Sequence, residues 1–316
     1  MPALRHILVT TAFLASGPIA AVWASQTVAE TLTLPPVDID LVGQTTITEA
    51  RHEDTLLDIA RRFDIGQDEI VFANAQVDRW LPGKGTEVFI PSRYILPRAK
   101  RTGIVLNVPE MRLYYFPPPE AGLPDRVETY PVSIGRMDWA TPLGTTRITA
   151  KIRNPSWRPP DSIRAEAEAS GTPLPELIPA GPDNPLGDYA LRLGLPGYLI
   201  HSTNRPYGVG MRVTHGCIRM YPEDIRGLFP NVPVGTPVQI VNQPVKIGWL
   251  FDTLFIEVHP PLEEHSGESA ALFDTAMELI NGAWKQRRFD LDARALRAAL
   301  NKPGGVPVPI AQAAGH

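Results

Sequence analysis

The sequence predicts a mainly β domain with a sandwich or barrel-like sheet, preceded by a small α+β module and followed by a strand-plus-helix extension. Three observations predict this fold class. From residue 101 onward, short alternating apolar runs are separated by Gly and Pro, and no helices alternate with them. Residues 45–97 contain two short helical patterns between two strand patterns. After residue 268, apolar residues recur at three- and four-residue steps, which is typical of a helix.

Residues 1–24 have the composition of a secretory signal peptide. Arg5 and His6 precede an apolar stretch over 7–22, and Ala24 ends the small-residue pattern of a cleavage site. The stretch is short for a membrane span, and no cysteine follows it to accept lipid. We therefore expect an exported protein with no transmembrane segment once it is mature. An uncleaved anchor is the alternative.

A linker and a compact module are expected next. Residues 25–44 are rich in Thr and Pro, which indicates a linker. In the module, residues 45–97, Thr55 is placed to cap a first helix and Asp68 to begin a second. A short strand at 87–91 completes the order strand, helix, helix, strand.

The main domain is expected at residues 98–242, with an insertion at 154–187. Its strands are predicted at 102–108, 112–116, 127–134, 145–152, 189–193, 198–201 and 237–242. Residues 162–170 suit a short helix, and the prolines around it predict an ordered flap.

The extension, residues 243–316, is expected to contain one or two strands and two helices. The strands run up to residue 258, and the helices cover 268–284 and 291–300. The last ten residues read as a disordered tail. With a net charge of −4 and a pI of about 6.0, the chain has no basic footprint, so we expect no nucleic-acid partner. Nothing indicates a cofactor or a metal.

The single cysteine, Cys217, is the first functional candidate. A lone thiol in an exported protein cannot form an internal disulfide, and a thiol beside an imidazole is the basic unit of cysteine acyl transfer. His201 lies 16 residues earlier, at the end of an apolar strand. We predict Cys217 as the nucleophile and His201 as its base, oriented by Ser202 or by a nearby backbone carbonyl. Taken singly, Cys217 would be a small buried apolar residue and His201 a structural histidine.

The residues before the cysteine add to this cluster. His215 is two residues from Cys217 and shares its side of an extended chain, or else simply hydrogen-bonds a loop. Gly216 lets the backbone come close, so the amides of 216 and 217 are candidates for stabilising an oxyanion. Zinc bound by His201, His215 and Cys217 is the competing interpretation. It lacks a fourth ligand nearby and any CxxC or HExxH spacing.

Taken together, His201 and the run Thr214-His215-Gly216-Cys217 resemble the signature of the YkuD-type L,D-transpeptidases. The resemblance covers roughly residues 45 to 260 and, within the family, is greatest to the periplasmic ErfK/YbiS group, which attaches Braun's lipoprotein to peptidoglycan. Further matching motifs are Ser133-x-Gly135, Thr141-Pro142-Leu143-Gly144, Asn154-Pro155-x-Trp157, 181–187 and 234–238.

The module at 45–97 resembles LysM, a small glycan-binding fold. The matching residues are Asp54-Thr55-Leu56, Ile59-Ala60, Asn74, Leu81-x-Gly83 and Ile90-Pro91. A packing domain without sugar affinity is the alternative.

The resemblance implies a periplasmic enzyme acting on peptidoglycan tetrapeptide stems. Cys217 would attack the meso-diaminopimelate carbonyl at its L-centre and expel D-alanine, with His201 as base and Ser202 as a possible third member. Thr214, His215 and Gly216 would line the site. The acceptor would be the C-terminal lysine of a Braun-type lipoprotein, or else a second diaminopimelate, giving a 3-3 cross-link, or water. The resemblance also implies acylation of the cysteine by carbapenems. A non-catalytic wall-binding protein is the alternative from another class.

Three further residues are candidates for substrate binding. Arg219 replaces the Asn that many family members carry at this position, and its planar guanidinium suits a substrate carboxylate. It suits a local acid such as Glu223 or Asp224 equally well. Trp157 and Tyr207 are candidates for the pocket wall, with core packing as the alternative for Trp157.

Overall fold

The computed structural model describes residues 31–36, 38–262 and 269–314. The predicted signal peptide, residues 1–24, lies outside this range. Within it, no helix is both long and apolar enough to cross a bilayer.

The described residues form strands and helices that we number in chain order. The strands are β1 (Thr31–Thr33), β2 (Leu41–Gly43), β3 (Thr46–Glu49), β4 (Glu87–Ile90), β5 (Arg93–Ile95), β6 (Gly103–Asn107), β7 (Arg112–Phe116), β8 (Arg126–Gly135), β9 (Gly144–Arg153), β10 (Tyr189–Leu193), β11 (Leu199–His201), β12 (Arg212–Thr214), β13 (Ile218–Met220), β14 (Pro237–Val241), β15 (Val245–Leu250), β16 (Thr253–Val258), β17 (Phe289–Leu291) and β18 (Val308–Ala313). The helices are α1 (Leu56–Arg62), α2 (Gln67–Ala73), α3 (Asp161–Ala169), α4 (Pro222–Asn231), α5 (Ser269–Gln286) and α6 (Ala293–Asn301).

The main sheet is closed into a barrel. Its strand order is β1-β8-β13-β11-β10-β9-β14-β6-β7, and β7 also pairs with β8, which joins the two ends. Inward-facing residues of these strands form one buried apolar core, and α4 covers it with Ile225, Leu228 and Phe229. The predicted mainly β, barrel-like fold class is therefore confirmed.

The N-terminal module, residues 45–97, has the predicted order strand, helix, helix, strand. β3 pairs with β4, and α1 and α2 lie between them in sequence. The hydroxyl of Thr55 accepts from the Asp58 amide, and the Asp58 carboxylate accepts from the Thr55 amide, so α1 begins with a capping box. A small core of its own, including Leu56, Ile59 and Ile70, holds the module together.

The predicted linker at 25–44 is structured over its described part. β1 pairs with β8 and β2 pairs with β5, so this segment belongs to the sheets. Leu32 and Leu34 pack against a buried cluster that includes Tyr94 and Phe116, which explains why the segment is held.

The insertion at 154–187 forms a flap. The bounds of α3, Asp161–Ala169, agree to within one residue with the helix predicted at 162–170. Trp157 and Ile178 exchange backbone hydrogen bonds of 2.8 Å, and the Asn184 side-chain amide donates to the Pro155 carbonyl at 2.8 Å. The two arms of the flap are thus tied to each other.

The C-terminal unit, residues 243–314, is a four-stranded sheet in the order β15-β16-β18-β17, packed against α5 and α6. The predicted strand-plus-helix extension is therefore confirmed, but residues 308–313, predicted to belong to a disordered tail, form β18. β18 lies between β16 and β17, and Ile310 is fully buried. Pro309 lies within this strand, although proline is rare in central strands. The register shift beside Phe255, its partner, accommodates it.

A buried salt-bridge network joins the C-terminal unit to the main domain. The Lys246 ammonium lies 2.9 Å from Glu110 Oε2 and 2.7 Å from Glu257 Oε1, and it also donates to the Ile95 carbonyl at 2.7 Å. Both carboxylates would lose their cation if Lys246 were apolar. The penalty for an uncompensated buried charge is large.

Replacing Lys246 with methionine is therefore expected to lower the free energy of unfolding by about 3 kcal/mol or more. Urea unfolding measures the change, and Lys285→Met, at an exposed site, is the control. A loss below about 1 kcal/mol would mean that the network does not hold the unit in place.

Candidate active site

Cys217 lies in the turn between β12 and β13, next to the strand that carries His201. β11 and β13 are parallel, with Ile200 opposite Ile218 and His201 opposite Arg219. The two isoleucines face the core, so His201 and Arg219 face the other side of the sheet. Cys217 directly precedes β13, and the Arg219 charge acts on the pKa of both the Cys217 thiol and the His201 imidazole, so all three are near one another. The fold thus brings together three residues that the sequence predicted.

The thiol sits in a pocket made largely by backbone. Cys217 is partly exposed, and its Sγ lies 3.6 Å from the Gly197 carbonyl oxygen. The Thr214 hydroxyl donates to the Cys217 carbonyl at 2.6 Å. Burial raises the pKa of the Cys217 thiol, while a backbone hydrogen bond to Leu199 and the nearby Arg219 charge act in the opposite direction.

Gly216 is required by its backbone geometry. Its φ is +94°, and a Cβ there would lie 2.8 Å from Tyr198 Cε1. The Gly216 carbonyl accepts from the Thr141 hydroxyl at 3.0 Å, and that same hydroxyl accepts from the Gly135 amide at 3.1 Å. The turn before Cys217 is therefore fixed from β8 and from the loop after it.

His201 is buried and oriented by a backbone carbonyl. Its Nδ1 lies 2.5 Å from the Ser202 carbonyl oxygen, and since a carbonyl only accepts, Nδ1 carries the proton. Burial, with a further contribution from Arg219, lowers the pKa of His201 to about 4. The imidazole is therefore neutral at neutral pH, and Nε2 holds a lone pair. Of the two orienting groups considered from sequence, the contact is made by the backbone carbonyl of Ser202.

These two shifts describe a resting site with a neutral thiol and a neutral imidazole. Burial disfavours the charged form of each group, so the thiol is not ionised in advance by the imidazole. Proton transfer from Cys217 then belongs to the reaction itself.

His215 is engaged by the flap. Its Nε2 lies 3.0 Å from Glu166 Oε2, on α3, and 3.2 Å from Arg136 Nη2. Its ring meets that of Trp139 edge-on at 5.3 Å. Within the described part of the chain, His215 does not gather with His201 and Cys217 into a metal-sized cluster, so their geometry does not support the zinc alternative.

Arg219 makes neither of the local ion pairs considered from sequence. Glu223 is held by Arg61 through two hydrogen bonds of 2.7 and 3.0 Å, and Asp224 contacts Asp64. The Arg219 Nε is buried, and over the described residues it has no hydrogen-bond partner.

Trp157 and Tyr207 lie in different surroundings. Trp157 is half-buried in the flap, where its backbone exchanges hydrogen bonds with Ile178. Tyr207 is 62% exposed and lines a small cleft with Arg61 and Tyr221, on the side of the N-terminal module.

Sequence reasoning missed Arg136, Trp139 and Glu166. They come from the loop after β8 and from α3, and they meet only because the flap folds back onto His215. No motif spacing relates the two segments, so only the fold could reveal them.

The chain matches known proteins over most of its length. Residues 101–240 match the family model YkuD, described as an L,D-transpeptidase catalytic domain. The Escherichia coli K12 protein named probable L,D-transpeptidase ErfK/SrfK is 40% identical over 303 residues, which cover 92% of this chain and 94% of the relative. The probable L,D-transpeptidase YcfS of the same organism is 37% identical, covering 89% and 88%, and YbiS is 38% identical, covering 89% and 92%. This chain therefore belongs to the L,D-transpeptidase family.

Proposed function

We propose that the protein is a periplasmic L,D-transpeptidase that joins peptidoglycan tetrapeptide stems to a Braun-type lipoprotein. One observation carries the chemistry. The neutral His201 imidazole, with its proton fixed on Nδ1, lies opposite Arg219, whose charge also acts on the only thiol of the chain. The similarity to ErfK/SrfK and YbiS over nearly the whole chain supports the substrate class.

Cys217 is the nucleophile in the first step. His201 Nε2 takes the thiol proton as Sγ attacks the meso-diaminopimelate carbonyl at its L-centre. A carbon–sulfur bond forms, the bond to the D-alanine nitrogen breaks, and His201 returns the proton to that nitrogen. The product is a thioester on Cys217 and free D-alanine.

The turn before the nucleophile stabilises the oxyanion. Backbone amides of residues 216 and 217 are the donors, and Thr141 and Thr214 hold the carbonyls of the same turn. Ser202 orients His201 through its carbonyl, and His215 lines the site from the flap side.

An amine resolves the thioester in the second step. It attacks the acyl carbon, gives a proton to His201, and the sulfur leaves. The lysine side chain at the C-terminus of a lipoprotein is the acceptor we favour. A second diaminopimelate would give a 3-3 cross-link, and water would give hydrolysis.

Product analysis by mass spectrometry distinguishes the acceptors. The mature protein is incubated with a disaccharide-tetrapeptide alone, or together with a peptide ending in lysine. A product linked through the lysine side chain is expected only when the peptide is present. If stem dimers were the sole products, the acceptor would be a second diaminopimelate. If shortened stems were the sole products, the acceptor would be water.

Arg219 is proposed to bind a carboxylate of the stem. It lies opposite His201 on the neighbouring strand, and the two acids near it in sequence, Glu223 and Asp224, are engaged elsewhere.

Trp157 and Tyr207 remain proposed walls of the substrate groove. The N-terminal module is proposed to bind glycan in the manner of LysM, and carbapenems are proposed to acylate Cys217. Function through wall binding alone would leave the His201–Cys217 arrangement without a role.

Replacing Arg219 with glutamine is expected to raise the KM for the tetrapeptide about tenfold or more, because a charge-assisted pair is lost. Steady-state kinetics with D-alanine release measures it. Arg226→Gln, on the exposed side of α4, is the control. An unchanged KM would show that Arg219 does not contact the stem.

A further inference from the structure

The N-terminal module contacts the front end of the segment that carries Cys217. We call residues 209–224 the catalytic segment. At its start, the Gln67 amide donates to the Val209 carbonyl at 3.0 Å, and the Asp68 amide donates to the Gly210 carbonyl at 3.1 Å. The approach is close, since a Cβ on Gly210 would lie 2.3 Å from the Gln67 nitrogen. The module and the catalytic segment are thus in backbone contact.

The module also contacts the C-terminal end of the catalytic segment. Arg61, on α1, pairs with Glu223 at the start of α4. The Tyr221 hydroxyl donates to the Ile65 carbonyl at 3.2 Å, directly after β13. Cys217 lies between these two contacts in the chain. Displacement of the module would therefore break the contacts on both sides of the Cys217 loop.

Between these contacts lies a pair of acids, Asp64 and Asp224. Asp224 is 3% exposed, and its carboxyl group lies within hydrogen-bonding reach of the Asp64 carboxyl group. One oxygen of each carboxyl group, Asp64 Oδ1 and Asp224 Oδ2, is buried and has no hydrogen-bond partner among the described residues. Two carboxyl groups bond to each other only if one of them holds a proton, because an ionised carboxylate only accepts.

The charged groups around the pair come from every element that packs against it. Arg112, on β7, donates to Glu69 Oε2 at 2.6 Å and to the Asp64 carbonyl at 3.4 Å, and it lies over the Tyr94 ring. The other groups near the pair are the Glu223 carboxylate, which is paired with Arg61, and the phenol of Tyr221. The phenol of Tyr130 is also near and donates to Glu128. Arg112 is mostly committed to Glu69, so it does not neutralise both aspartates.

We propose that the N-terminal module positions the catalytic segment, and that a proton shared by Asp64 and Asp224 keeps it docked. The two aspartates are positioning residues that act on Cys217 through the segment. The catalytic part of this proposal rests on the proposed function.

The proton sets the direction of the pH dependence. Burial raises the pKa of Asp64 to about 6 and that of Asp224 well above its usual range, with the Arg112 charge opposing. Undocked carboxyls would release this proton at lower pH. Docking is therefore strongest in acid, and it weakens as the pH rises past the usual aspartate range and through about 6.

Hydrogen exchange of the Gln67 and Asp68 amides reports docking directly, after correction for intrinsic exchange rates. In the wild type, their protection is expected to fall about tenfold or more between about pH 5 and about pH 8. In Asp64→Asn, the side-chain amide donates to Asp224 at every pH, and asparagine tolerates the φ of +56° at this position. The fall should then disappear.

Asp290→Asn, at an exposed site on β17, is the matched control and should behave like the wild type. Asp224→Asn replaces Asp64→Asn if the latter does not fold. Equal pH dependence of protection in wild type and variant would overturn the shared proton.

The rate of Cys217 acylation tests positioning. The ratio of the Asp64→Asn rate to the wild-type rate cancels the titration of the thiol, and it is expected to rise from about one in acid to several-fold at alkaline pH. A constant ratio beside a changed protection would overturn positioning. Absence of acylation in both proteins would instead refute the proposed function, and the amide protection would still report the docking.

Discussion

Replacing Cys217 with alanine is expected to abolish acyl transfer, with a fall in kcat of at least about 10⁴-fold. Cys217 is the only thiol of the chain, and among the described residues near His201 nothing else can form a thioester. Alanine removes only one atom from a partly exposed site, so the fold should be retained. D-alanine release from a tetrapeptide stem measures the loss.

The matched control is Thr214→Ser, which keeps the hydroxyl that donates to the Cys217 carbonyl. It should retain most of the activity and the same thermal unfolding as the alanine variant. A Cys217→Ala protein that still released D-alanine at a substantial rate would refute the assignment of the nucleophile.

Replacing His201 with asparagine is expected to lower kcat by about 10²- to 10⁴-fold, since the thiol loses the base that takes its proton. Asparagine keeps a donor for the Ser202 carbonyl, which limits the disturbance to the fold. Activity should partly return at high pH, where Cys217 loses its proton without help. Comparison of the wild-type and variant pH–rate profiles measures both effects.

The wild-type profile has its own signature. Because the pKa of His201 is lowered to about 4, the base form is present at all pH values above that, and the profile should show no acid limb near the usual histidine pKa. Because the pKa of Cys217 is raised, the rate should keep rising into the alkaline range. A His201→Asn protein with the wild-type kcat would contradict this assignment. So would a wild-type rate that falls by half as the pH is lowered to about 6.5.

The candidate nucleophile, its candidate base and the positions of the main strands along the chain could be predicted from sequence. Strand alternation has a period of two, which is visible in runs such as 145–152, now part of β9. Cys217 and His201 stood out because one thiol has few structural uses in an exported chain. The pairing of β11 with β13 then placed the strand of His201 beside the turn that carries Cys217.

Long-range pairing explains what the sequence could not show. β1 is three residues long, too short to display alternation, and it exists because β8 offers it an edge. β18 contains Pro309 and relies on a register shift in its partner strand. The surroundings of Arg219 depend on Arg61, because Arg61 pairs with Glu223. The two residues of that pair are 162 positions apart in the chain, so no local pattern shows it.

Intact-mass spectrometry of the mature protein mixed with a disaccharide-tetrapeptide tests the central claim most directly. We expect a covalent adduct equal to the stem minus D-alanine, carried by Cys217, absent from Cys217→Ala, and cleared to a lysine-linked product when a lipoprotein-like peptide is added. No adduct in the wild type under any of these conditions would contradict acyl transfer by Cys217.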